Sequence, residues 1–172
     1  GIFVLRAGDG AFGEAGELVM RGPGVFTGYL GQDDLYASSL TPDRFFRTGD
    51  LARVDDDGYL HLTGRLKDLI IRGGVNISPV AIEDTLAGHP NVRRVAVIGE
   101  PDERLGERLC AVVVPKGDTA VSLDELLEWS SEHGLPRRSW PESMRIVAEM
   151  PVTAAGKIRK NQLRDELFGS QS

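Results

Sequence analysis

The 172 residues are 41% apolar and 27% charged, enough apolar side chains for one large core or two small ones and too many for a linker. Twenty Lys and Arg against 26 Asp and Glu leave a formal charge of -6, which on average repels a nucleic-acid duplex or an anionic bilayer. No apolar run approaches the roughly 18–20 residues of a membrane helix, so the expectation is a soluble globular protein with no nucleic-acid partner and no integral membrane segment. The single cysteine, Cys110, excludes an internal disulfide framework and reads as a small buried hydrophobe in an apolar run. His61, His89 and His133 are too scattered for zinc spacing, so no metal site is expected.

The chain opens at Gly1-Ile2-Phe3-Val4, strand-like and without an initiator Met, which reads as a piece of a longer polypeptide. Up to residue 64 the apolar residues come in short runs such as Glu17-Leu18-Val19-Met20, separated by turn clusters such as Arg21-Gly22-Pro23-Gly24, and more than half of the 21 glycines lie there. This is the composition of an all-β segment. Gly8-Asp9-Gly10-Ala11-Phe12-Gly13 matches the dinucleotide pattern in letters, but the residues after it head into another strand where a helix is required, so it reads as a glycine-rich turn. A hairpin over 51–64 turns on Asp55-Asp56-Asp57-Gly58. With its centre near Asp57, Asp50 pairs back close to Arg65.

After Asp68 the pattern changes. Ser78-Pro79 reads as an N-cap followed by proline at the first helical position, predicting a helix over 79–87 that Gly88-His89-Pro90 stops. Strands over 92–98 and 109–114 flank a charged loop over 101–108 and form a hairpin. Ser122-Leu123-Asp124-Glu125 is a capping box, with Leu123, Leu126, Leu127 and Ser130 on one helical face up to Gly134. A strand over 144–148, a loop through Gly156 and a helix over 161–168 complete a compact α+β domain of a size that folds alone. The expected fold class is α+β overall: a glycine-rich all-β segment, 1–66, then a small α+β domain, 67–172.

Three places have the residue types for chemistry, and each has an ordinary alternative. Asp50 with Arg65 offers acceptors and donors that suit a vicinal diol such as a ribose, or closes the hairpin as a surface ion pair. Lys157, on a loop of small residues (Pro151-Val152-Thr153-Ala154-Ala155-Gly156), is able to neutralise two anions that must approach each other, or is simply solvated. Gly73-Gly74 is a turn or bulge, or a place where a ligand passes close to the backbone. Gly156-Lys157 lacks the upstream glycine of a phosphate-binding loop.

Taken together and in order, GELVMRGPGVFTGYL, FFRTGD, DGYLHLTGRLKDLIIRGGVNISPVAIED and PVTAAGKIRK resemble the carboxyl-terminal third of the adenylate-forming enzymes, the superfamily of acyl-CoA synthetases, peptide-synthetase adenylation domains and luciferases. The resemblance runs over about 17–164. It implies that Asp50 binds the ATP ribose hydroxyls, that Arg65 is a second ribose or phosphate contact, and that Lys67 is the hinge between a large domain and a small mobile one. It further implies that Lys157 contacts the substrate carboxylate and the α-phosphate side, and that Gly73 and Gly74 line the pantetheine tunnel in the second half-reaction. A carboxylic acid, ATP and CoA, with Mg²⁺ offsetting phosphate charge, are the implied substrates and cofactors.

The sequence departs from the family pattern at Ala81, where Glu usually completes a capping box with Ser78. Residues 1–66 read as the end of the large domain, a partial barrel, and its phosphate loop and acyl pocket are expected upstream of Gly1, leaving this chain inactive alone. The favoured reading is the carboxyl-terminal piece of an acyl-CoA synthetase, cytoplasmic or membrane-peripheral. The alternatives are a carrier-protein-loading adenylation domain, for which the apparent chain end at 168–172 is unfavourable, and a non-catalytic binding or assembly fragment. Trp140-Pro141-Glu142 resembles synthetases of fatty or alicyclic acids. Unpaired strand edges in the first half point to a homodimer.

Overall fold

A computed structural model describes residues 2–6 (backbone only), 15–117 and 119–169. The turn read at residues 8–13 and the final residues 170–172 lie outside the described residues. The chain divides into two compact units, Gly1–Lys67 and Asp68–Ser172.

The first unit is a four-stranded antiparallel sheet with strands in chain order: β1 (Ile2–Arg6), β2 (Gly16–Arg21), β3 (Phe46–Val54) and β4 (Leu60–Arg65). Leu18 and Val19 of β2, Phe45, and Leu51 and Ala52 of β3 are buried apolar residues of this unit. A short helix, α1 (Asp33–Ser38), interrupts the otherwise all-β segment. Its first turn holds Asp33 and Asp34, the sign of charge that a helix N-terminus favours, but it has no buried residue and no side-chain cap. Tyr36 of α1 donates its hydroxyl hydrogen to the Phe26 carbonyl (2.9 Å), and its ring lies with those of Phe26, Tyr29 and Phe46 in one aromatic cluster. The β3–β4 turn is built by Asp55, whose Oδ1 accepts from the Asp57 and Tyr59 amides at 3.1 and 2.8 Å. A 3₁₀ turn, Leu66–Asp68, follows β4.

The second unit contains β5 (Ile70–Arg72), β6 (Val75–Ile77), α2 (Val80–Ala87), β7 (Val92–Asp102), β8 (Gly106–Pro115), α3 (Leu123–Glu132), β9 (Ser143–Ile146) and α4 (Lys160–Phe168). The strands form one sheet in the order β6-β5-β8-β7, and β9 pairs in parallel with β8. Side chains alternate along β8. Leu109, Ala111 and Val113 join Ile82 and Leu86 of α2 and Leu126 of α3 in one core, while Cys110, Val112 and Val114 join Met150 and Leu163 of α4 in a second. Cys110 is fully buried, and burial pushes its thiol up from the ordinary value, in keeping with a packing role.

The hairpin is longer than its apolar runs: β7 and β8 extend through most of the charged segment, pairing Glu100 with Arg108 and Asp102 with Gly106. Glu100, 6% exposed, accepts from Arg108, Arg145 and the Ser143 hydroxyl. Although burial pushes this carboxyl up, the hydrogen bonds from Arg108 and Ser143 and the charge of Arg145 hold it below the ordinary range. A tight turn over 103–105 replaces the expected loop. In α2 the cap position falls on Pro79, with no side-chain cap hydrogen bond. Pro79 itself has helical dihedrals, as proline at a first helical position does.

In α3 the capping box is complete, Ser122 accepting from the Glu125 amide while the Glu125 carboxylate accepts from the Ser122 amide (2.7 Å). Its buried side is Leu126 and Ser130. Ser122→Ala is expected to lower the stability of the second unit by about 1 kcal/mol, measured by urea denaturation. No change would mean that the helix start is held by packing alone.

Candidate functional site

In the first unit the local sequence places Asp50 by bending β3. Glu17 pairs with Leu51 and Val19 with Arg47, so three residues, Thr48, Gly49 and Asp50, stand opposite Leu18 alone. Gly49 takes φ +71, a conformation costly for residues with a Cβ. The Thr48 hydroxyl donates to the Leu18 carbonyl (2.7 Å) and accepts from the Asp50 amide (3.0 Å). Bulges re-aim side chains in this way. A second register shift follows on β4 between the Leu51–Gly64 and Ala52–Leu62 pairs.

Asp50 and Arg65 are therefore direct cross-strand partners, with Arg65 Nε 3.0 Å from Asp50 Oδ1. Their side chains are 28% and 52% exposed, so the pair is open to solvent and to a ligand. Beside it lies a cavity of about 370 Å³ lined by Thr48, Gly49, Arg65, Leu66 and Lys67. A guanidinium lining such a cavity and the carboxylate paired with it can donate to and accept from neighbouring hydroxyls. Lys67 is exposed at the junction of the two units.

In the second unit Gly73 and Gly74 form the two-residue turn of the β5–β6 hairpin, with φ of +56 and +82 and Arg72 paired to Val75. Two successive positive φ values are the signature of the tightest hairpin turns, where glycine is favoured. The Gly73 amide donates to the Leu105 carbonyl (2.8 Å), tying this turn to the β7–β8 turn. Ile71 and Val75, either side of it, are each more than half exposed.

Lys157 sits on a loop closed on itself. A bridge joins Val152 to Ile158, the Thr153 amide donates to the Lys157 carbonyl, and the Arg159 amide donates to the Pro151 carbonyl, both at 2.8 Å. Lys157 is exposed and forms no ion pair among the described residues. The loop is fastened by Met150 before it and by Leu163 after it, both in the second core.

Two polar pairs joined by the fold escaped the reading of local spacing. Arg72 holds Glu142 through two bonds, Nε to Oε2 at 2.9 Å and Nη2 to Oε1 at 2.7 Å, 70 residues apart in sequence. Glu83 and Lys160, 77 residues apart, form a half-buried pair. Only the residue types were visible beforehand, because neither separation leaves a periodic trace. Trp140 and Glu142, singled out by resemblance, have structural partners here: Trp140 Nε1 donates to the Leu135 carbonyl (2.8 Å), and Glu142 Oε2 also accepts from the Leu109 amide (3.2 Å). Among the described residues no three His, Cys, Asp or Glu side chains come together to hold a metal ion, and no helix is long and apolar enough to cross a membrane.

Residues 81–157 match the family model of the AMP-binding enzyme C-terminal domain. The chain is 45% identical over 152 residues to a feruloyl-CoA synthase from Amycolatopsis, covering 88% of this chain and 30% of that protein. It is 41% identical over 154 residues to the medium-chain fatty-acid–CoA ligase of Escherichia coli, covering 89% and 27%. ATP-bound MatB from Rhodopseudomonas palustris superposes with a TM-score of 0.82 at 35% identity, over 91% of this chain and 31% of that one. The chain is similar to the carboxyl-terminal portion of adenylate-forming enzymes. The curated relatives it matches include acyl- and aryl-CoA ligases and a 2,3-dihydroxybenzoate-AMP ligase of Bacillus subtilis, and the chain spans less than a third of their length.

The Arg72 bonds hold Glu142 below the ordinary glutamate value. A carboxylate with a lowered folded value contributes stability that is complete above its unfolded value and is lost as pH falls through the folded one. Glu142→Gln is therefore expected to cost about 1–2 kcal/mol at neutral pH and to make the acid loss of stability shallower. Denaturation at neutral pH and near about pH 3 reads both; an unchanged acid limb would contradict the assignment.

Proposed function

We propose that this chain is the carboxyl-terminal part of an ATP-dependent acyl-CoA synthetase, which joins a carboxylic acid to ATP to give an acyl-adenylate and pyrophosphate, and then passes the acyl group to the CoA thiol with release of AMP. The observation that carries this reading is the bulge at Thr48-Gly49-Asp50, which turns a strand aside to present an acid beside a cavity with Arg65 across from it. Asp50 accepts hydrogen bonds from the ribose hydroxyls, and Arg65 donates to the ribose or a phosphate. Lys157 lies between the substrate carboxylate and the α-phosphate, two anions that repel as they approach, and a preorganised cation there lowers the barrier. Mg²⁺ accompanies the nucleotide phosphates and is held outside the residues described here.

In this reading residues 1–66 end a large nucleotide-binding domain and residues 67–172 are a small mobile one. Lys67 is the hinge. Two poses are useful because a lysine set against the reacting anions would obstruct an incoming thiol, so rotation replaces the Lys157 loop with the Gly73-Gly74 turn along the pantetheine path. The cytoplasm supplies the ATP and CoA that such an enzyme consumes. Alone, this chain holds only the ribose edge of the nucleotide site and is inactive. The outer strand β4, with Leu62 63% exposed, offers an edge for self-association.

Lys157→Ala in the complete enzyme is expected to lower adenylate formation, read by pyrophosphate exchange, by about 10² or more. Thioester formation from supplied acyl-adenylate is expected to stay near wild type. Equal losses in the two half-reactions would contradict the role given to Lys157.

A further inference from the structure

Glu83 of α2 and Lys160, the first residue of α4, have side chains 19% and 16% exposed. Lys160 Nζ lies 2.7 Å from Glu83 Oε1 and 2.9 Å from Oε2, and the Val97 amide of β7 donates to Oε1 at 2.6 Å. Burial pushes the Glu83 carboxyl above its ordinary value against the pull of Lys160, and the negative charge of Asp68 pushes it further the same way. An ion pair withdrawn this far from water is weak support for stability, because an apolar pair of similar volume often does as well, and its best-attested use is to fix register.

What this pair registers follows from its place in the chain. Lys160 is three residues beyond Lys157. The hydrogen bonds of the loop over 151–159 set its internal shape, and it is attached to the rest of the domain by Met150 before it, by Ile158 within it, which packs against the second core, and by Lys160 and Leu163 after it. The Lys157 ammonium makes no ion pair of its own among the described residues, so its position is that of its backbone.

We propose that Glu83 and Lys160 are positioning residues: their ion pair pins the start of α4 to α2 and β7, and so sets where Lys157 projects for adenylation. The functional half of this proposal rests on the role given to Lys157 above.

Amide hydrogen exchange on the 172-residue chain tests the pinning directly. In Lys160→Met the Thr153 and Arg159 amides are expected to exchange about tenfold faster, with Val112 and Val113 in the middle of β8 unchanged, and Lys160→Arg is expected to restore protection. The neutral double variant, Glu83→Gln with Lys160→Met, is expected to loosen the loop likewise and leaves no unpaired charge to prevent folding. An unaltered loop, or acceleration shared equally with β8, would overturn the proposal. In the complete enzyme, Lys160→Met is expected to slow adenylate formation about tenfold or more. KM for ATP should stay within about twofold, and thioester formation should be retained; equal loss in both half-reactions overturns the positioning role. A loop that loosens while Lys157→Ala leaves adenylation intact would overturn the role given to Lys157 and the functional half of this proposal. An unresponsive loop beside a Lys157→Ala defect would overturn the pinning alone.

Discussion

Strand β8 is buried on both faces, and the second unit is arranged around that constraint. None of its residues 109–114 is more than 2% exposed. Each such aliphatic side chain removed from water contributes about 1.5–3 kcal/mol, but only while both faces stay covered. Helices α2 and α3 cover one face, and Met150 with α4 covers the other. A strand filled on both sides has no room for a polar ligand. The residues suited to chemistry consequently lie at the margins, on the β5–β6 turn and on the loop before α4.

Those two margins differ in chemical character. The turn presents backbone and small or apolar groups, Gly73, Gly74, Ile71 and Val75, and suits close passage of an uncharged chain. The loop presents Lys157, without an ion pair among the described residues, beside small residues and suits the approach of two anions. The turn is tied back through Gly73 to Leu105 and through Arg72 to Glu142, and the loop through Lys160 to Glu83 of α2, which in turn accepts from the Val97 amide of β7. A domain that carries both on one rigid sheet can serve two steps by changing its pose instead of its fold.

Where neighbours in sequence determine structure, the residues were legible in advance. The Ser122-to-Glu125 spacing specifies a capping box, and it forms. Counting outward from near Asp57 brings Asp50 close to Arg65, and the register shift on β4 makes them direct partners. The bulge that aims Asp50 was not legible, because it depends on Leu18, 30 residues earlier, accepting from Thr48. Helix α1 escaped because its six residues have no apolar period and no cap. The strands β7 and β8 reach into a charged segment because Glu100 and Arg108 satisfy each other across the pair, a property of two strands that neither shows alone. Glu83 with Lys160 and Arg72 with Glu142 are products of the tertiary fold, and their significance appears only once the chain has closed.

The central claim is that the two margins serve different half-reactions, and a substitution at Gly74 addresses it from the side opposite to the lysine. Gly74 has φ +82, and a Cβ built there meets nothing within 4 Å, so a larger side chain would project outward with backbone strain but no internal clash. The measurement is the pair of half-reaction rates of Gly74→Val in the complete enzyme. The account predicts a thioester-forming step slowed by about 10² or more, as a displaced or blocked nucleophile requires, with pyrophosphate exchange close to wild type. Parallel loss of both rates, or loss of exchange alone, would contradict it.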